Sequence, residues 1–280
     1  MLLVGALLAY TMLTVFAAPL VLTVGRWRIR YPRLALLLWH GAFLSGLAAA
    51  AASILVSLIV AVSLSNAGHT PGVTWWETSV PVLAGWMALG VAGAAGALLF
   101  AKSESVIDAD RETYYELNSL VSLRGYRSEQ RGEMTVTYLD SDRAFACAVP
   151  GVDRTVIVSS RLVSALSRPE LDAVIEHERT HLRHHHGLAL RLADVNVSCL
   201  PALPGAREMR RATALLIELI ADDVAATRCG HAHLISALAT IATIEEDEAM
   251  LLRARRLEHR MELRGQRRTV RRVARAWMRV

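Results

Sequence analysis

The chain has 280 residues, 53% of them hydrophobic, and a mean hydropathy of +0.33. That is too apolar for an ordinary soluble domain of this length, so part of the chain belongs in lipid. The net charge of +5 is unevenly spread: residues 1–25 and 34–65 carry no Asp, Glu, Lys or Arg, whereas 251–280 hold eleven arginines. Such asymmetry suits a membrane protein with a basic cytoplasmic end.

Three apolar runs, 1–24, 34–64 and 80–101, meet the requirement of about 20 residues for crossing about 30 Å of hydrocarbon as a helix. The second exceeds it, so it is tilted or extends past the bilayer. A cleaved signal peptide would need positive charge ahead of its apolar core. Here Arg26, Arg28, Arg30 and Arg33 follow the first run instead, and the second loop, 66–79, carries Glu77 alone as a charge. The positive-inside bias then places the N-terminus outside and everything from about Lys102 onward in the cytoplasm. Trp27, Trp75 and Trp76 flank these spans, as interfacial anchors or as packing residues.

Residues 103–127 mix charged and apolar side chains at helical spacing with no Pro/Gly linker, so a soluble domain of about 102–250 is expected to begin directly under the membrane. Strands are predicted at 134–139, 144–149 and 155–159, with Asp140, Ser141 and Asp142 turning between the first two: a small antiparallel sheet. Cys147, Cys199 and Cys229 lack CxxC spacing, which indicates reduced, buried thiols rather than a disulfide framework or a thiolate metal site.

Ser167, Arg168, Pro169 and Glu170 form a capping box with proline in the first turn, where a missing donor costs little. Leu171, Val174, Ile175 and Leu182 give the following helix a buried stripe. On it stands His177-Glu178-Arg179-Thr180-His181, an HExxH motif. Two imidazoles four positions apart project from one helical face about one turn apart, so they can bind a single zinc ion with Glu178 placed to act on the attacking water. A catalytic zinc has three protein ligands, and Glu218 is the candidate third: it lies in a predicted helix, 207–228, where a carboxylate among Ala214, Leu215, Leu216, Ile217, Leu219 and Ile220 needs a partner. Asp222, one turn further along, is placed to accept an imidazole N–H and orient a ligand. His184, His185 and His186 read as a solvated helix end, with adventitious metal binding as the alternative; His231 and His233 read as loop histidines, with oxyanion stabilisation as the alternative; and Asp223 reads as a surface charge.

The moderately apolar stretch 187–204 contains Arg191, Asp194 and Asn196, which are costly near the centre of a membrane helix. It reads as an amphipathic helix packed on the catalytic domain or the membrane surface, with partial or re-entrant insertion as the alternative. The tail, 251–280, alternates Leu251, Leu252, Leu257, Met261 and Leu263 with arginines. It reads as a basic amphipathic helix on anionic lipid or as a solvated helix; direct nucleic-acid binding is not expected, because no reading module accompanies the charge.

Val156 to Ser160, then Leu171 to His181 with Glu176-His177-Glu178 at its core, then Glu218-x-x-Ala221-Asp222, resemble the BlaR/MecR-type antirepressor membrane metallopeptidases. The resemblance implies a three-helix membrane domain followed by an α+β zincin-like domain, mainly helical. It also implies zinc on His177, His181 and Glu218, Glu178 as base, Asp222 in support, and a cytoplasmic protein substrate, a winged-helix transcriptional repressor. No segment after Glu218 resembles a penicillin-binding sensor domain, so β-lactam sensing is not expected. HtpX-like membrane proteases share HExxH followed by ExxxD, which makes membrane quality control the second reading. A non-catalytic membrane sensor or scaffold is the third.

Overall fold

The computed structural model describes residues 2–66, 75–149 and 154–277. Most of the expected external loop and the last three residues lie outside the described residues, as do the side chains of Trp75, Glu77 and the arginines beyond Leu263. The chain folds as two compact units, Met1–Asp110 with Ala189–Leu216, and Arg111–Leu188 with Ile217–Val280.

In the first unit, α1 (Leu2–Thr23), a short α2 (Trp27–Arg30), α3 (Pro32–Asn66) and the start of α4 (Trp75–Arg124) follow the three apolar runs. All three long helices are apolar enough to cross a membrane. Helix α1 packs closely on α3, and a side chain at Gly46 would put its Cβ 2.3 Å from the Thr14 hydroxyl oxygen. Glycine there is a steric requirement of the helix contact. The amphipathic stretch becomes α7 (His186–Cys199), and α8 (Pro204–Cys229) follows. Met209, Ala212 and Leu216 of α8 bury with Leu22, Ala35 and Trp39, while the His40 ring nitrogen lies 3.3 Å from the Ala189 carbonyl. Ala189 at the start of this segment and the first half of α8 therefore lie against α1 and α3, a packing that the expected placements do not include.

In the second unit, α4 continues to Arg124, so its 50 residues carry the apolar run into the polar domain without a linker. Four strands follow: β1 (Gly125–Arg131), β2 (Met134–Leu139), β3 (Ala146–Val149) and β4 (Thr155–Ser159), in the order β1-β2-β4-β3. The expected antiparallel sheet is corrected to a mixed one, because β2 and β4 pair in parallel while β1–β2 and β3–β4 are antiparallel. Strand β1 was not expected: Gly-Tyr-Arg-Ser-Glu-Gln-Arg is an edge strand exposed along most of its length, so it carries no apolar alternation to mark it.

The sheet buries both faces. Val136, Tyr138, Val156 and Val158 pack with Leu171, Val174 and Ile175 of α6 (Arg168–Arg183) and with Ala237 and Ile241 of α9 (His231–Glu245). Leu139, Val149 and Ile157 face Leu117 and Val121 of α4 on the other side. Helix α5 (Ser160–Ala165) links β4 to α6, and Ser167 and Glu170 form the expected capping box. A second cluster joins Ala173, Ala225, Leu234 and Leu238 to Ala254 and Leu257 of α10 (Glu248–Trp277). The expected tail boundary at residue 251 thus falls within a core helix, and Leu257, 1% exposed, faces protein rather than lipid. The three cysteines are free, as expected, but half-buried rather than buried.

Candidate active site

Helix α6 presents His177 and His181 one turn apart, and the second half of α8 presents Glu218 and Asp222 one turn apart on a facing surface. The stripe of Leu171, Val174 and Ile175 seats α6 on the sheet, while Leu219, Ile220, Ala221 and Ala225 are buried along α8. The two pairs meet. His177 Nε2 and His181 Nε2 are 3.1 Å apart, and Glu218 lies 3.4 Å from the first through Oε2 and 3.5 Å from the second through Oε1. Three ligands each 2.0–2.1 Å from one ion at tetrahedral angles stand about 3.3 Å apart. The donor set of two imidazoles and one carboxylate therefore fits zinc in both chemistry and spacing.

Asp222 is fully buried, and its Oδ1 lies 3.0 Å from His177 Nδ1. A carboxylate there holds the proton on Nδ1 and leaves Nε2 facing the other donors. In the metal-free chain burial opposes charge on His177, but the bonds to Asp222 and Glu218 outweigh it and raise its pKa to about 9. His181 moves the other way, to about 4, through burial and then the charge on His177. Glu218 is held near 2: burial alone would raise it, and its contact with His177 and the charge of Arg253 prevail.

Glu178 points towards the sheet. Its carboxyl is raised to about 7, chiefly by burial, with His177 pulling it down and Glu218 pushing it up, while the Ala148 backbone hydrogen-bonds to it. Strand β3 is therefore beside the motif glutamate, and β3 is a sheet edge. The Ser159 N–H donates to the Phe145 carbonyl, so by the alternation of an antiparallel ladder the backbone groups of Ala146 and Ala148 turn outward from β4.

Two further residues join the expected five. Arg253 of α10 donates from Nε and Nη2 to the two Asp222 oxygens at 2.9 and 2.7 Å, and its Nη1 is 2.9 Å from Glu218 Oε2. The expectation had placed this arginine in a lipid-facing or solvated tail; a tally of Glu178, Glu218 and Asp222 against a single divalent ion would have asked for one more cation. His186, expected in a solvated helix end, is buried, with its Nδ1 3.2 Å from His181 Nδ1. His184 and His185 are exposed, as expected. His231 and His233, expected in a loop, lie instead in the first turn of α9, where His233 is exposed. Asp223 pairs with Arg256 and Arg260.

Residues 115–253 match the family model described as Peptidase family M48. The matched stretch contains the sheet, both helices of the donor set and Arg253, and it supports a metallopeptidase of the zincin type. It carries the metallopeptidase part of the resemblance and leaves the BlaR/MecR specificity open. No curated protein and no solved structure matches the chain.

Proposed function

From an M48-type domain joined to three apolar helices, we propose that this chain is a membrane zinc endopeptidase that cleaves a cytoplasmic protein, a transcriptional repressor in a signalling pathway. One observation carries the peptidase reading: the His177, His181 and Glu218 donors converge at ligand spacing, with Glu178 as the neighbouring carboxyl. The group contains three protein donors among the described residues, the number typical of a catalytic site, whereas a structural site, as in the scaffold reading, has four.

Zinc, when bound, polarises the scissile carbonyl and makes water acidic enough to attack near neutral pH. Glu178 accepts the water proton as the oxygen adds to the carbonyl carbon, and returns it to the departing amine as the C–N bond breaks. Asp222 fixes the His177 ring, and Arg253 balances the buried carboxylates. An extended substrate segment pairs with the outward backbone of Ala146 on β3, which lays its scissile bond beside Glu178. The arginines of the first loop support an N-terminus outside and a catalytic domain in the cytoplasm. The M48 match supports a second reading equally, HtpX-like quality control of membrane proteins.

The test uses the full chain in detergent. Wild-type protein binds one zinc and cleaves peptides, and Glu178→Gln keeps the zinc while losing about 10²- to 10⁴-fold in kcat. Undiminished cleavage by that variant refutes the assignment of the base. Proteins accumulating in cells that carry Glu178→Ala then separate the substrate classes: one winged-helix repressor for the first, many damaged membrane proteins for the second.

A further inference from the structure

We propose that His186 is the positioning residue for the second imidazole ligand, acting as a neutral hydrogen-bond acceptor at Nδ1. The inference rests on the metal reading above. A histidine that offers Nε2 to a cation carries its proton on Nδ1, and that N–H requires a partner when buried. For His177 the Asp222 carboxylate lies 3.0 Å from that nitrogen. For His181 the partner is His186, whose Nδ1 lies 3.2 Å from His181 Nδ1 with the ring planes 85° apart. The direction of the bond follows: His181 donates, His186 accepts, and the His186 proton sits on Nε2.

The chain is bent to make this contact. Helix α6 ends at Arg183, His185 adopts a left-handed backbone at φ +52°, and α7 begins at His186. Left-handed backbone is unfavourable for a non-glycine residue, and the turn it makes carries His186 back to His181. Of the three consecutive histidines only His186 is buried, at 3% exposure. The two ligands thus differ in support, a carboxylate behind His177 and an uncharged ring behind His181. A second outer carboxylate would add a negative charge to a pocket that already holds Glu178, Glu218 and Asp222 against Arg253.

The test measures zinc affinity by chelator competition, and the visible spectrum of the cobalt-substituted protein, on the full chain in detergent. Wild-type protein must first bind one zinc; failure there removes the metal reading itself, and this inference with it. His186→Phe fills the space without an acceptor and is expected to weaken zinc about 10- to 100-fold and to shift the cobalt bands. His186→Asn restores a carbonyl acceptor and is expected to recover most of the affinity and the wild-type spectrum. His184→Phe is expected to change neither. Should phenylalanine prevent folding, His186→Leu makes the same comparison. If wild type binds zinc and the apolar variants bind it equally well with an unchanged cobalt spectrum, or if the asparagine variant loses as much as they do, the inference is overturned.

Discussion

Arg253 holds Asp222 through two hydrogen bonds across 31 positions of sequence, tying α10 to the helix that carries Glu218. Asp222 has no exposed surface, so its charge depends on Arg253 and on the His177 ring. These contacts depress its pKa far below the usual carboxylate range, although burial acts the other way.

Replacing Arg253 with methionine therefore leaves a buried carboxylate with one partner fewer. Removing one side of a buried pair costs about 3–5 kcal/mol, and thermal unfolding of the zinc-free protein in detergent should show the loss. Asp222→Asn combined with Arg253→Met is expected to recover part of it, since the orphaned charge is gone. An Arg253→Met protein as stable as wild type would show that the clamp does not operate in solution.

Zinc affinity should depend on pH with a definite sign. His177 is raised to about 9 from an ordinary 6.5, so in the metal-free chain its proton contributes stability that is complete below 6.5 and lost as pH rises through 9. That proton competes with the cation. Between pH 7 and 9 His181, at about 4, is already neutral and Glu218, at about 2, already ionised. One proton then leaves per zinc bound, and affinity rises about tenfold per pH unit. Chelator competition at pH 7, 8 and 9 measures the slope, and a flat profile would contradict the protonated state.

The cap of α6 is a separate stability element. Glu170 accepts from the Ser167 N–H and hydroxyl, both at 2.7 Å, and its pKa is lowered by Ser236, then by Ser167. Glu170→Ala is expected to cost roughly 1 kcal/mol at pH 7. The penalty should shrink as pH falls below the normal carboxylate range, because the lowered pKa contributes stability only while the unfolded-state group would be ionised. Unfolding curves at pH 7 and pH 3 compare the two.

Leu257 distinguishes a core helix from a lipid-bound tail. At 1% exposure it packs with Ala173, Leu234 and Leu238, so Leu257→Ala should destabilise the catalytic unit by about 2–5 kcal/mol. If the side chain instead served lipid, stability in detergent would hold and vesicle binding would fall.

Most of the membrane half and the centre of the site are legible in the residues themselves. Apolar length is a local property, so the three spans can be counted off the chain, and HExxH preceded by a capping box at Ser167 to Glu170 fixes both a helix and the face of its two imidazoles. Glu218 and Asp222 are legible because a carboxylate in an apolar run advertises an absent partner. Strand β1 is not, because a polar edge strand has no periodic signature, and neither is the direction of pairing in the sheet, which depends on how β4 returns beside β2.

Near neighbours in the chain set the spans, the cap, and the helical spacing of His177 with His181 and of Glu218 with Asp222. Which distant side chains meet those groups depends on how the helices pack. Arg253 looks like any arginine of a basic helix, and His186 like any member of a polar run. Their roles arise because hydrogen bonds and ion pairs act over about 3 Å, and only packing of α10 on α9 and the left-handed turn at His185 bring them within that reach.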